Sequence, residues 1–386
     1  MDLSKFTKDC PGRLVRISNG KDVAFIPNAL PESWRVPQDV IHTWVEAREV
    51  LGELRGTGRT LPDPALLLRP LRQREAIRSS SLEGTYATPE ELLSYEMNPR
   101  DPSSKEDPAN AWREVYNYQL ALELGQELVD QGYPFSEWLA RRLHERLLVG
   151  VRGEDKSPGE IRKIQVHIGA GHRFTPPPPE HLSSLLGGLE KEMQAKVDID
   201  PLIWALMVHY QFETIHPFRD GNGRVGRLLL ALMIYKGCDF DTPWLYLSEF
   251  FDRHRDDYID ALFNVSAKRD WARWIELGLL ATIEIGRNTI NRITKITALK
   301  KDYEQRIRSY EGRDRLMYMV PHLLIYPFIG YQDVMNVLEV TYPTARADVD
   351  ALISMDIVRD MKGRKRPRLF VAHEIFRLAY FDDQLE

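Results

Sequence analysis

Residues 216–227 read His-Pro-Phe-Arg-Asp-Gly-Asn-Gly-Arg-Val-Gly-Arg, which sets an imidazole, a carboxylate, a glycine turn and two guanidiniums in one short stretch. After Arg227 the chain is apolar on every side from Leu228 to Tyr235, and Gly237 supplies a stop, so a buried helix is expected to start near Asn222. The turn Gly221-Asn222-Gly223 feeds the first turn of that helix. Unpaired N–H groups and the positive dipole end favour an anion there, and glycines let a phosphate approach the backbone closely. Arg224 and Arg227 stand three apart, on one helix face beside that anion. Asp220 is a hard oxygen ligand suited to a Mg2+ that bridges phosphate oxygens. His216 ends the preceding helical stretch, Leu202 to Thr214, and an imidazole titrating near pH 6.5 suits a base that takes a proton from an attacking hydroxyl. Phe218 is expected to anchor the loop between the two helices. Each piece has a plainer reading, as a helix-end His, a turn or a solvated Arg pair. Their coincidence ahead of an apolar helix points instead to chemistry on a nucleotide polyphosphate.

The segment resembles the signature of Fic domain proteins, His-x-Phe-x-(Asp/Glu)-Gly-Asn-Gly-Arg-x-x-Arg, with every position filled. The resemblance implies an all-helical core that transfers AMP from ATP to a hydroxyl side chain (Ser, Thr or Tyr) of a target protein, self-modification included, with release of pyrophosphate. It implies His216 as the catalytic base, Asp220 as the Mg2+ ligand, Gly221, Asn222 and Gly223 as the anion hole, and Arg224 and Arg227 on the phosphates. The similar Doc branch, which phosphorylates its target, typically carries Lys at the place of Gly223, so Gly223 points to nucleotidyl transfer.

Upstream, Ser79-Ser80-Ser81-Leu82-Glu83-Gly84 resembles the family's inhibitory pattern, (Ser/Thr)-x-x-x-Glu-(Gly/Asn). The resemblance implies that Glu83, with Ser79, projects from a helix onto Arg227, takes the place of the γ-phosphate and keeps activity low. It also implies a part for Glu83 in removing AMP. A carboxylate pairs with an arginine through two bonds, and an Arg so held cannot seat ATP productively. The plainer reading of Glu83 is an exposed helical residue.

Ile161 to Phe174 alternates around Val166 and turns at Gly169 and Gly171, which predicts a hairpin. Fic proteins have a flap in this place, so the resemblance implies a target-docking edge at Ile164, Gln165, Val166, His167 and Ile168, held by main-chain bonds that demand no particular sequence. Tyr258 falls where relatives carry a Tyr beside the adenine. Many have a second Tyr next, where this chain has Ile259.

These groups need elements to position them, and 386 residues with 43% hydrophobic and 28% charged content leave room for two or three domains. Helical periodicity covers 40–53, 64–80, 109–130, 136–148, 180–196, 202–214, 255–266 and 271–310, the last open to a break. Residues 1–37 are more extended. The expected divisions are an N-terminal region with the inhibitory helix (1–108), the Fic core (109–310) and a tail (313–386). In the tail, 331–338 and 344–355 read as helices around a turn. Expected strands at 357–361 and 368–371 flank the basic run Lys362 to Pro367, so the order is similar to a winged helix-turn-helix. The fold class is therefore mainly α, with a small flap and a winged tail.

DNA is a candidate partner of that tail through the basic wing and Arg346, weighed against a protein-docking or dimer-forming role because Asp348, Asp350 and Asp356 lie nearby. A net charge of −5 gives no global nucleic-acid signal. The only cysteines, Cys10 and Cys238, suit a reducing compartment. No signal-peptide core or membrane-length apolar run is present, so a soluble cytoplasmic protein is expected, and relatives suggest a homodimer. The alternatives to adenylyl transfer are a nucleotide-sensing DNA-binding regulator, and transfer of UMP or another phosphate-linked group by the same core.

Overall fold

A computed structural model describes residues 1–17, 20, 22–61, 63–151, 157–310, 314–361 and 368–381. The chain is mostly helical with small antiparallel sheets and forms two compact units, Met1–Gly52 with Glu75–Gly286 and Glu53–Arg74 with Arg287–Glu386. The helices α1 (Ile41–Gly58) and α2 (Ala65–Leu82) and a long helix after residue 270 each lend residues to both units.

The first unit opens with a hairpin, β1 (Gly12–Ile17) and β2 (Asp22–Pro27), in which Leu14 faces Phe25 across the ladder. Ala24, Phe25 and Ile26 of β2 are buried, and Phe25 packs with Phe174 and Phe263. The helices α3 (Pro89–Met97), α4 (Ala109–Asp130), α5 (Glu137–Leu147), α6 (Leu182–Gln194), α7 (Pro201–Ile215) and α8 (Asn222–Gly237) follow. The sequence reading passed over α3, although Thr88 and Glu91 form a capping box around Pro89, which is a strong start signal. Asp200 caps α7 by accepting from Leu202 N and Ile203 N. Helices α7 and α8 are apolar nearly all round because neither has a solvent face. They pack along each other, with α4 and α5 also against α8. The unit closes with α9 (Ser248–Arg253), α10 (Arg255–Lys268) and the first part of α11 (Trp271–Arg308), which runs unbroken.

The second unit holds α12 (Met319–Ile325), β3 (Phe328–Ile329), α13 (Tyr331–Leu338), α14 (Tyr342–Ser354), β4 (Arg359–Asp360), β5 (Phe370–Val371) and α15 (His373–Tyr380). Its sheet has the order β3-β5-β4, antiparallel throughout. Helix α14 starts two residues earlier than its expected position, with Thr341 as N-cap, because Pro343 lies in the first turn, where a missing N–H costs nothing. Strands expected at 357–361 and 368–371 shrink to two residues each, and α15 was not anticipated. Asp348 is fully buried and accepts from Arg315 Nε and Nη2 at 3.0 and 2.6 Å. The basic run 362–367 lies outside the described residues. Among the described residues, no helix is long and apolar enough to cross a membrane.

Candidate active site

Helix α7 ends at His216, whose backbone turns left-handed (φ 51, ψ 62) and swings the chain into the loop that starts α8. Asn222 staples that loop, since its Oδ1 accepts from Phe218 N at 2.8 Å and its Nδ2 donates to Phe218 O at 2.9 Å. Both ends of the Asn222 side chain are thus spent on the loop, so what this residue offers an anion is its backbone N–H. That group, with those of Gly223 and Arg224, has no acceptor within α8. Arg224 is buried, lies 3.4 Å from Glu114 Oε2 and has an Nε with no hydrogen-bond partner. A buried donor left open beside a helix N-terminus fits an anion. The Asp220 carboxylate accepts from Gly221 N at 2.7 Å and keeps 37% of its side chain exposed, which fits a hard cation that retains water and phosphate oxygens.

Arg227 is buried and donates to Ser79 Oγ (2.8 Å), Ser79 O (2.9 Å) and Glu83 Oε1 (2.9 Å). Glu83 was expected to project from a helix, and it stands one residue beyond the end of α2, in a turn closed by left-handed Gly84 (φ 81). The Gly of the inhibitory pattern is therefore a helix-ending residue. Thr85 then ties the turn to α4 through a 2.8 Å bond to Glu114 Oε2. Desolvation in the cleft works to raise the Glu83 carboxyl, but the neighbouring Arg227 guanidinium outweighs it and holds the group below its ordinary value.

His216 differs from the expectation of a base titrating near 6.5. Burial holds its pKa down to about 4, with the Arg162 charge adding to that effect and the Glu213 carbonyl opposing it. Its Nδ1 lies 3.2 Å from Glu213 O, so the neutral ring donates from Nδ1 and presents a bare Nε2. His216, Glu83, Gly223, Arg227, Glu213 and Tyr258 line one cleft of about 260 Å³. Tyr258 lies in the cleft wall, and its hydroxyl lies 2.8 Å from His209 Nε2.

The flap is smaller than the predicted hairpin. A single antiparallel bridge joins Ile168 and Phe174 (N–O 2.8 and 3.1 Å), while Ile164 stays exposed. Opposite 164–166 the chain runs Pro176 to Pro179, which has no N–H to complete a ladder, and Gln165 Nε2 donates to Pro176 O instead.

The Fic/DOC family N-terminal model matches residues 41–127, and the Fic/DOC family model matches residues 134–234, the span that ends inside α8. The chain carries a Fic domain. It is 35% identical over 152 residues to a probable protein adenylyltransferase of Aquifex aeolicus, which covers 39% of this chain and 41% of that protein. It is 36% identical over 96 residues to the protein adenylyltransferase fic-1 of Caenorhabditis elegans, which covers 24% of this chain and 18% of that one. The chain thus matches less than half the length of these relatives. Among solved structures, a Fic family protein from Desulfovibrio desulfuricans G20 aligns with TM-score 0.56 at 20% identity, over 88% of this chain and 97% of that one. Fic-1 from C. elegans aligns with TM-score 0.56 at 20% identity, over 67% and 75%. At that identity the likeness speaks for the fold.

Four residues of the Fic domain escaped the sequence reading. His144 on α5 stacks on Phe218 (3.9 Å, 6°), accepts from Gly159 N at Nδ1 (2.8 Å) and so donates from Nε2 to Asp220 O (3.0 Å). Burial lowers it to about 4, so it stays neutral and fixes the loop. His209 on α7, held down to about 3 by burial, donates from Nδ1 to Gly226 O at 3.1 Å and accepts from the Tyr258 hydroxyl. Arg162 donates to the carbonyls of His216 (2.8 Å), Ile164 (3.0 Å), Pro177 (2.5 Å) and Ile215 (3.4 Å), and burial lowers it to about 10. It locks the flap base to the left-handed turn. Glu213 is pushed up to about 8 by burial, and its Oε1 has no hydrogen-bond partner. An added Cβ on Gly226 would stand 2.2 Å from that oxygen.

Proposed function

We propose that this Fic domain is a protein adenylyltransferase restrained by Glu83. ATP enters over the first turn of α8, with Arg224 and Arg227 on its phosphates. A target Ser, Thr or Tyr hydroxyl, held along the flap at 164–168 or on the chain itself, attacks the α-phosphorus. Its proton passes to His216 Nε2, a new P–O bond forms, the bond to the β-phosphate bridging oxygen breaks and pyrophosphate leaves. In-line positioning supplies much of the rate. Mg2+ held by Asp220 and the phosphates would neutralise charge on the leaving group. Glu83 on Arg227 occupies the position the γ-phosphate needs, and removal of AMP would use the same carboxylate.

The observation that carries this reading is the convergence of His216, Arg227, Gly223 and Glu83 on one cleft. The test is transfer of label from α-labelled ATP with Mg2+ by wild type, Glu83→Gly and Glu83→Gly/His216→Ala. Strong labelling by Glu83→Gly that vanishes in the double variant is the expected result. A Glu83→Gly protein that binds ATP yet labels neither itself nor any lysate protein would sink the proposal.

A second reading concerns the C-terminal unit. The order helix, turn, helix, strand pair supports a winged-helix assignment, and Asp348, an acid that would repel phosphates from the second helix, is turned inward onto Arg315. DNA binding by this unit predicts an affinity for duplex that falls steeply with salt, and salt-independent or absent binding would exclude it.

A further inference from the structure

Outside the cleft, the flap carries two histidines whose side chains have no part in the transfer step or the inhibitory contact, since docking along 164–168 is proposed to use main-chain bonds. The rings of His167 and His172 stack in parallel, with centroids 3.9 Å apart and planes 10° from each other. Asp22, the first residue of β2, faces the pair, with its Oδ2 at 3.7 Å from His167 Nδ1. One donor atom from each of the three residues lies within 4.8 Å of the other two. His172 holds this place on a left-handed backbone (φ 56) between Gly171 and Arg173, a conformation that histidine adopts more readily than most side chains. Two parallel imidazoles repel each other if both are protonated.

We propose that Asp22, His167 and His172 bind one divalent first-row transition metal of the zinc class, and so tie the flap to the start of β2. Two imidazoles and one carboxylate select zinc, nickel or cobalt over magnesium or calcium, which prefer all-oxygen shells. Metal–nitrogen bonds of about 2.0–2.1 Å require the donors to converge and the two parallel rings to tilt until their in-plane lone pairs meet, for which the exposed His172 has room. Thr175 Oγ1, 3.2 Å from His167 Nδ1, adds a neutral oxygen at the edge of the set. The consequence is mechanical. Ile168, next to His167, and Phe174, close after His172, form the one bridge of the flap and also line the cleft. A bound ion would clamp both sides of that bridge against the N-terminal hairpin. The inference is independent of the transferase reading, since it requires neither ATP nor turnover.

The test uses full-length, tag-free, chelator-treated protein titrated calorimetrically with ZnCl2, and with MgCl2 as the contrast. Wild type should bind one Zn2+ at about micromolar affinity or tighter, with no comparable Mg2+ response, and Zn2+ should raise its melting temperature by mass action. His172→Asn removes an exposed imidazole while tolerating the left-handed backbone, and Asp22→Asn removes the charge. Each should weaken Zn2+ binding about tenfold or more, with melting in chelator unchanged. Co2+ absorption should show the loss of a nitrogen ligand in His172→Asn. Absence of Zn2+ binding by wild type, or undiminished binding by both variants, which would shift the ion to Cys10, Cys238 or another histidine, overturns the proposal.

Discussion

Gly223 and Glu83 occupy the same corner of the cleft so tightly that a Cβ on residue 223 would stand 2.2 Å from Glu83 Oε1 and 3.0 Å from Arg227 Nη1. On the proposed function, the glycine that would let a phosphate approach the backbone is thus also the glycine that admits the Glu83 carboxylate. In the wild type, Gly223→Ala should displace Glu83 and cost about 1–3 kcal/mol of stability. On a Glu83→Gly background the main clash is gone, so the same change should cost less than half as much. Urea unfolding of the four proteins in a double-mutant cycle measures the difference. Equal costs in both backgrounds would show that the close approach of Glu83 is not what demands the glycine.

The half-buried, neutral His216 makes a prediction about pH that an exposed histidine would not. Its folded pKa is depressed to about 4, so the bare Nε2 persists from neutral pH downward and is lost only as pH falls through that value. Label transfer by Glu83→Gly at saturating ATP and Mg2+ should therefore stay level from about pH 7.5 to about pH 5.5, on the shift just cited. A rate that halves near pH 6.5, the ordinary histidine value, would mean that the ring titrates in water.

How far the sequence disclosed this site depends on how its parts are connected. The segment from His216 to Arg227 was legible because the groups that converge are neighbours in the chain and the helix carrying them is apolar throughout. The Glu83 pattern was legible through its spacing, although only the left-handed turn at Gly84 explains why its last position is a glycine. His144, His209 and Arg162 were not legible, because each bonds to backbone carbonyls of the motif, and every residue has a carbonyl. A histidine on an amphipathic helix such as α5 reads as an ordinary core residue until its partner is known. Alternation at 161–168 predicts a longer hairpin than forms, because the facing prolines have no N–H groups to return.

Glu213 supplies a second titration, of opposite sense. Burial raises its folded pKa to about 8, so the group is neutral at pH 7. Its stabilising contribution is complete below the unfolded value near 4.3 and is lost as pH rises through about 8. Ionisation there places a new negative charge in the cleft that would receive ATP. Because the Glu83 charge also helps raise Glu213, the Glu83→Gly variant should lose ATP affinity as pH rises through a value below that of the wild type, and Glu83→Gly/Glu213→Gln should remove that dependence. Calorimetric titration across that pH range decides it. An undiminished pH effect in the Gln variant would assign the titration to another group.

Arg162 offers the sharpest separation of geometry from charge. Its guanidinium meets four carbonyls, two of them at the end of α7 where His216 turns left-handed, and no carboxylate lies among those partners. A lysine keeps the positive charge but cannot present a planar fork to several acceptors at once. Arg162→Lys should leave buried carbonyls unsatisfied, lowering stability by about 1–3 kcal/mol. It should also loosen the backbone that aims the imidazole, so on a Glu83→Gly background kcat for label transfer should fall by about 10–100-fold while ATP affinity changes little, because a misplaced base affects only the transition state. Steady-state kinetics combined with ATP titration resolve the two quantities. If affinity falls as far as kcat, Arg162 acts through the whole fold of the cleft, and if neither changes, the four carbonyl bonds do not hold His216 in place.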